Sequence, residues 1–113
     1  MTPNKEILNR LTHGVLTMKK LAPKVTESFI AFDKAAVEAG ALDVKTKELI
    51  AMSIAVAARC DGCIAVHVSN VLKAGASIEE VAEALGVAVS MGGGPSMVFA
   101  TRALEALAEF TAK

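Results

Sequence analysis

Leu49-Ile50-Ala51-Met52-Ser53-Ile54-Ala55-Val56-Ala57-Ala58 contains a single polar residue, Ser53. Read as a helix at about 3.6 residues per turn, it turns apolar side chains in nearly every direction. A helix that is apolar all round has to be covered all round. The whole chain has 113 residues, the length of one domain, and a domain of this size buries only roughly 65% of its unfolded surface. Enclosing a central helix is difficult on that allowance. The economical expectation is that subunits cover each other's apolar faces in a homo-oligomer, the alternative being a monomer built around a central helix.

Working outward, the segments on either side also read as helices. Asp43 is placed to cap the third helix, from about Val44 to Ala58, and Cys60 to Gly62 form a short junction. A fourth helix carries Ile64, His67, Val68, Val71 and Leu72 and stops before Gly75. Ser77-Ile78-Glu79-Glu80 has the spacing of a capping box and opens a fifth helix through Val81, Leu85 and Ala88. The fifth helix ends at Gly92-Gly93-Gly94, and Pro95 helps to start a sixth through Val98, Leu104, Leu107 and Phe110. Towards the N-terminus, Thr2 is the expected cap of a first helix with Pro3 at its first position. Leu8, Leu11, Val15 and Met18 form its stripe. Pro23 starts a second helix, whose face of Val25, Phe29, Phe32, Ala36 and Ala39 is expected to join the core before Gly40 ends it. The result is an all-α bundle of six helices in one domain, residues 1–113, with small-residue-rich fifth and sixth helices that allow close approach.

Composition narrows the function. The chain is 53% hydrophobic, which excludes intrinsic disorder. Its 21 alanines, absence of Trp and Tyr and four Phe favour helix over sheet. Twelve basic residues balance twelve acidic ones, so nothing here suits a nucleic-acid backbone or an anionic membrane surface. The longest stretch without a formal charge, Ala84 to Thr101, is broken by Gly92-Gly93-Gly94-Pro95 and leaves no span of about 20 apolar residues. The polar start Thr2-Pro3-Asn4-Lys5-Glu6 does not read as a secretory signal. A cytoplasmic location follows as an expectation, and with it a disulfide that is transient rather than structural.

The chemistry concentrates in Glu48, Cys60, Asp61, Gly62, Cys63 and His67. Two cysteines at C-x-x-C spacing on a helix start place sulfur beside unpaired backbone N–H groups and the positive end of the helix dipole, which favours thiolate. Two such sulfurs can also close into a disulfide. His67, four residues after Cys63, shares its helical face and is placed to take the thiol proton directly or through one water. Glu48, twelve residues before Cys60, falls towards the far end of a helical hairpin, roughly 15–18 Å from the junction. Spacing alone therefore does not bring it to Cys63.

This constellation resembles the alkylhydroperoxidase D-like, or carboxymuconolactone decarboxylase, family. The likeness rests on Glu48, Cys60-Asp61-Gly62-Cys63 and His67. It extends to Gly40-Ala41-Leu42-Asp43, Lys45-Thr46-Lys47-Glu48-Leu49-Ile50, Gly75-Ala76-Ser77-Ile78-Glu79-Glu80 and Met91-Gly92-Gly93-Gly94-Pro95, across roughly residues 20 to 110. The resemblance implies an all-helical subunit assembled into trimers or hexamers and a peroxidase or thiol–disulfide reaction without a cofactor or metal. It implies Cys63 as the attacking thiolate and Cys60 as the resolving thiol. His67 and Glu48 become the proton relay, and the substrate a peroxide or small disulfide with an external thiol as electron donor. Cys60 is expected on the exposed side of the pair. Members of the family can carry a second histidine where this chain has Gly62, and Asp61 adds a negative charge that opposes thiolate formation unless it points away.

Other readings of the same residues are weaker. A buried cysteine pair can be plain apolar filling. Cys60, Cys63 and His67 suit zinc but lack an assured fourth ligand. A non-catalytic redox sensor or interaction protein needs only the cysteine pair, and a lactone decarboxylase needs a site that nothing here identifies. The glycines at 92–94 are not followed by Lys-Ser/Thr, so they read as a helix break rather than a phosphate loop. His13 reads as a surface residue.

Overall fold

A computed structural model describes residues 2–112. Among them are six helices and no strand: α1 (Pro3–Leu21), α2 (Pro23–Val37), α3 (Val44–Ala57), α4 (Asp61–Lys73), α5 (Ile78–Gly92) and α6 (Gly94–Thr111). None is long and apolar enough to cross a membrane.

Local chemistry sets these boundaries. The Asp43 carboxylate accepts the Thr46 N–H at 2.8 Å, and the Ser77–Glu80 capping box is closed in both directions. Proline opens α1, α2 and α6 within the first two positions, where its missing N–H costs nothing. The α5–α6 corner is tight: Gly93 has φ +70°, and a Cβ placed on Gly92 would lie 1.8 Å from the Ser96 Oγ. The glycines at this break serve close packing, as their lack of a following Lys-Ser/Thr indicated.

Two boundaries and one cap differ from expectation. α4 begins at Asp61, inside the supposed junction, because Cys60 itself caps it. α2 stops at Val37, ahead of Gly40, whereas α5 ends at Gly92, within the triple glycine, as expected. Thr2 stands at the N-cap of α1 with extended backbone but makes no side-chain cap bond. The Glu109 carboxylate of α6 serves instead, accepting the Asn4 backbone N–H at 2.9 Å and the Asn4 side-chain amide.

The core lies where α3 packs on α4, α5 and α6. Met52, Val56, Ile64, Val68, Val71 and Val81 are its largest fully buried side chains, each worth about 1.5–3 kcal/mol of burial. Ser53, the one polar residue of the apolar run, shares its single hydroxyl hydrogen between the Leu49 carbonyl at 2.9 Å and the Ala84 carbonyl of α5 at 3.1 Å. The remainder of α3 is not enclosed by its own chain. Ile50 and Ile54 are exposed and, with Leu49, Val87 and Met91, line an apolar groove of about 400 Å³ between α3 and α5.

The second helix corrects the sequence reading more sharply. Phe29 and Phe32 are 64% and 70% exposed, not core, because α2 packs chiefly on α1 and only lightly on α3. Leu11, Val15 and Met18 of the α1 stripe are exposed as well.

Candidate active site

The site is built on the hairpin of α3 and α4. α3 ends in a pair of backbone bonds, Arg59 N–H to the Val56 carbonyl and Cys60 N–H to the Ala55 carbonyl, both 3.1 Å. This is the Schellman arrangement, which needs a left-handed residue just past the helix. Arg59 takes that conformation, with φ +57°. The turn delivers Cys60 directly to the N-cap of α4.

There the Cys60 sulfur accepts the backbone N–H of Cys63 at 3.2 Å. The two cysteines are joined in a disulfide with Cα atoms 5.2 Å apart, inside the range such bridges occupy. Their exposure is the reverse of expectation: Cys63 is exposed and Cys60 half-buried. The cause is the cap itself. An N-cap side chain folds over the first turn to meet its amides, and the bond to the Cys63 N–H draws the Cys60 sulfur in this way.

Asp61, next to Cys60, pairs with Arg102 of α6 at 2.8 Å, and that guanidinium lies 4.4 Å over the Phe99 ring. Its negative charge beside the sulfurs is thus met by a cation. Gly62 has open space where a side chain would start, so packing does not exclude a larger residue there.

At the other end of the hairpin the structure supplies what spacing could not. Glu48 of α3 is buried at 5% exposure, and its Oε1 lies 2.7 Å from His67 Nδ1 of α4. The two helices run back along each other from the turn near residue 59, which sets Glu48 level with His67. Asn70, one turn beyond His67, donates its side-chain amide to Glu48 Oε2 at 3.3 Å. Sequence reasoning missed Asn70. Its position three residues after His67 put it on the same helical face, and that was the available signal. A cleft of about 290 Å³ lined by Val44, Glu48, Asn70, Lys73 and Ala74 opens behind this carboxylate.

The arrangement has definite chemical consequences. An ionised carboxylate only accepts hydrogen bonds, so an imidazole bonded to it through Nδ1 carries its hydrogen there and leaves the Nε2 lone pair free as a base. That base stands one helical turn from Cys63. His13, by contrast, is exposed on α1. Among the described residues no three His, Cys, Asp or Glu side chains are arranged to hold a metal ion.

The profile of the carboxymuconolactone decarboxylase family matches residues 23–106. An uncharacterized protein of Cupriavidus necator is 40% identical over 103 residues, 91% of each chain. The crystal structure of a carboxymuconolactone decarboxylase family protein from Legionella pneumophila superposes with a TM-score of 0.94 at 45% identity, covering 96% of this chain and 97% of that one. A family protein from Thermotoga maritima, for which involvement in an antioxidative response has been suggested, gives a TM-score of 0.82 at 33% identity, with 90% and 87% coverage. On sequence and fold together, the chain belongs to the carboxymuconolactone decarboxylase family.

Proposed function

We propose that the protein is a cysteine peroxidase, reducing peroxides through the Cys60–Cys63 pair with electrons from an external thiol. The observation that carries this reading is the Cys60–Cys63 bridge on the first turn of α4, one turn from an imidazole clasped by a buried carboxylate. The antioxidative suggestion for the Thermotoga maritima relative points the same way.

In the reduced protein, His67 Nε2 takes the Cys63 thiol proton, directly or through a water. The Cys63 thiolate attacks one peroxide oxygen. An S–O bond forms, the O–O bond breaks, and the departing alkoxide collects the proton held on His67. Cys63 is left as a sulfenic acid. The Cys60 thiol then attacks that sulfur, forming the disulfide and releasing water. A dithiol donor supplies two electrons to reopen the bridge and is itself oxidised to a disulfide. Cys63, the exposed sulfur, is the one within a donor's reach. Cys60 leaves as a thiolate favoured by the Cys63 N–H and the helix dipole.

The same reading includes a homo-oligomer. The groove along α3 and the exposed phenylalanines of α2 are apolar surface that a second copy would remove from water. Light scattering on the purified chain tests that part.

Turnover tests the chemistry. Purified protein mixed with hydrogen peroxide or an organic hydroperoxide and excess dithiol is expected to consume peroxide repeatedly. Consumption of one equivalent followed by arrest would make the pair a sensor and defeat the catalytic reading.

A further inference from the structure

Glu48 is gripped at both oxygens by side chains of the same helix, His67 at Oε1 and Asn70 at Oε2. The second contact has no part in the proton relay as written, yet it occupies the donor position on a carboxylate that is almost fully buried. A glutamate's terminal torsion is broad and roughly two-fold, so a carboxylate held at one oxygen is free to turn. Held at both, it is fixed in plane. The plane matters because the imidazole takes its orientation and tautomer from the acceptor that its other nitrogen meets.

From this we infer that Asn70 is a positioning residue. Its amide locks the Glu48 carboxylate, and through it keeps the hydrogen of His67 on Nδ1 and the lone pair on Nε2. The inference rests on the function proposed above for its purpose but not for its measurement.

Among the described residues no charged side chain bonds to Glu48 Oε2. Lys73 lines the cleft behind Glu48 without a hydrogen bond to it. Lys45 of α3 is paired with Glu80 of α5 at 2.9 Å. Lys47 donates to the carbonyls of Ala36 and Glu38 at 3.1 and 2.6 Å. Asn70 is thus the uncharged donor that completes the carboxylate, and it does so without adding a second cation to compete with the imidazole.

The test is nitrogen-15 spectroscopy of the two histidine rings in the reduced, full-length protein at mildly alkaline pH, with exposed His13 as the internal reference. In the native chain His67 is expected as the Nδ1–H tautomer. Asn70→Leu has a similar outline and no donor, so it is expected to move a large share of His67 to Nε2–H and to slow peroxide-driven thiol oxidation about tenfold. Asn70→Gln keeps an amide and is expected to stay on the native side in both readouts. An unchanged tautomer in Asn70→Leu overturns the inference, whatever happens to the rate. A Gln variant that behaves like Leu overturns it too, since an amide in reach would then count for nothing. If the tautomers shift as expected while even the native protein consumes no peroxide, the proposed function fails and the role of Asn70 stands.

Discussion

The two ends of the α3–α4 hairpin are built to opposite rules. At the turn, Cys63 lies open to solvent, Arg59 holds a left-handed backbone, and Asp61 and Arg102 meet on the surface. Some turns away, Glu48 is buried and both its oxygens are bonded. The difference follows from what each end has to do. A sulfur that exchanges with outside molecules must be reachable, whereas a group that decides where a proton sits must be held still. A buried carboxylate left without partners would cost several kcal/mol, and both oxygens of Glu48 are accordingly met.

The most damaging way to break this division is at the open end. Cys63→Ser is expected to abolish peroxide turnover, because the nucleophile is gone. Cys60→Ser keeps one reactive sulfur and is expected to give a single burst, followed by sulfinic acid visible by mass spectrometry. Sustained cycling of Cys60→Ser with a dithiol would remove Cys60 from the resolving role. Next in size is the buried end. Glu48→Gln preserves shape but gives His67 a neutral partner, and about a 10²-fold slower reaction is expected, within the range that acid–base groups contribute. A Glu48→Gln protein that oxidises at the native rate would show that the two ends are not coupled.

How much of this was legible depends on whether the deciding interaction is local. Asp43, the Ser77–Glu80 box and the prolines at residues 3, 23 and 95 announce five of the six helices through contacts within a few residues, and α4 could be read from the spacing of Ile64, Val68, Val71 and Leu72 ahead of Gly75. The shared face of Cys63 and His67 is equally local. The meeting of Glu48 with His67 and Asn70 depends on how two helices lie against each other, which no spacing within either helix encodes. The stripe of α2 shows a different limit. Apolar residues at helical spacing state that a face requires cover, but they do not say what covers it, and Phe29 and Phe32 are left mostly exposed by their own chain. The exposure of the cysteines was misread because Cys60 was placed in a junction when it is a cap.

A finer comparison sits within α4 and its neighbour. α3 and α4 both end in the Schellman arrangement, for α4 through Gly75 N–H to Leu72 and Ala76 N–H to Val71 at 3.1 and 3.0 Å. One cap uses Gly75, φ +87°, and the other uses Arg59, φ +57°. A side chain in this region costs about 1–2 kcal/mol. Gly75→Ala meets no neighbouring atom within 4 Å, so its expected loss of about 1 kcal/mol is purely conformational. Arg59→Gly removes the same strain but frees the unfolded chain, leaving an expected gain of up to about 1 kcal/mol. Denaturant midpoints measure both. If the two substitutions move stability in the same direction, the caps are not equivalent and Arg59 has contacts that outweigh its backbone.

The smallest effect concerns a carboxylate that contrasts with Glu48 in being exposed. Glu80 lies in the first turn of α5 and reaches Lys45 of α3 at 2.9 Å while closing the box on the Ser77 N–H. Lys45 first, and then the Ser77 N–H, holds its carboxyl below the ordinary 4.5. Asp43, bonded to Thr46, is lowered from 3.8 in the same sense. A depressed folded value means that the unfolded chain binds the proton more readily. The stabilisation is therefore complete above the ordinary values and drains away as pH falls through the depressed ones. Melting temperature is expected to drop in that acid window, and Glu80→Gln, which keeps an acceptor for Ser77 but no charge for Lys45, is expected to flatten the drop slightly. High salt should shrink the difference, because solvent-facing charges are screened. Glu48→Gln, measured alongside, should respond less to that salt, since Glu48 is 5% exposed and bonded at both oxygens. Equal salt responses of the two variants would erase the distinction between an exposed tie and a buried clasp.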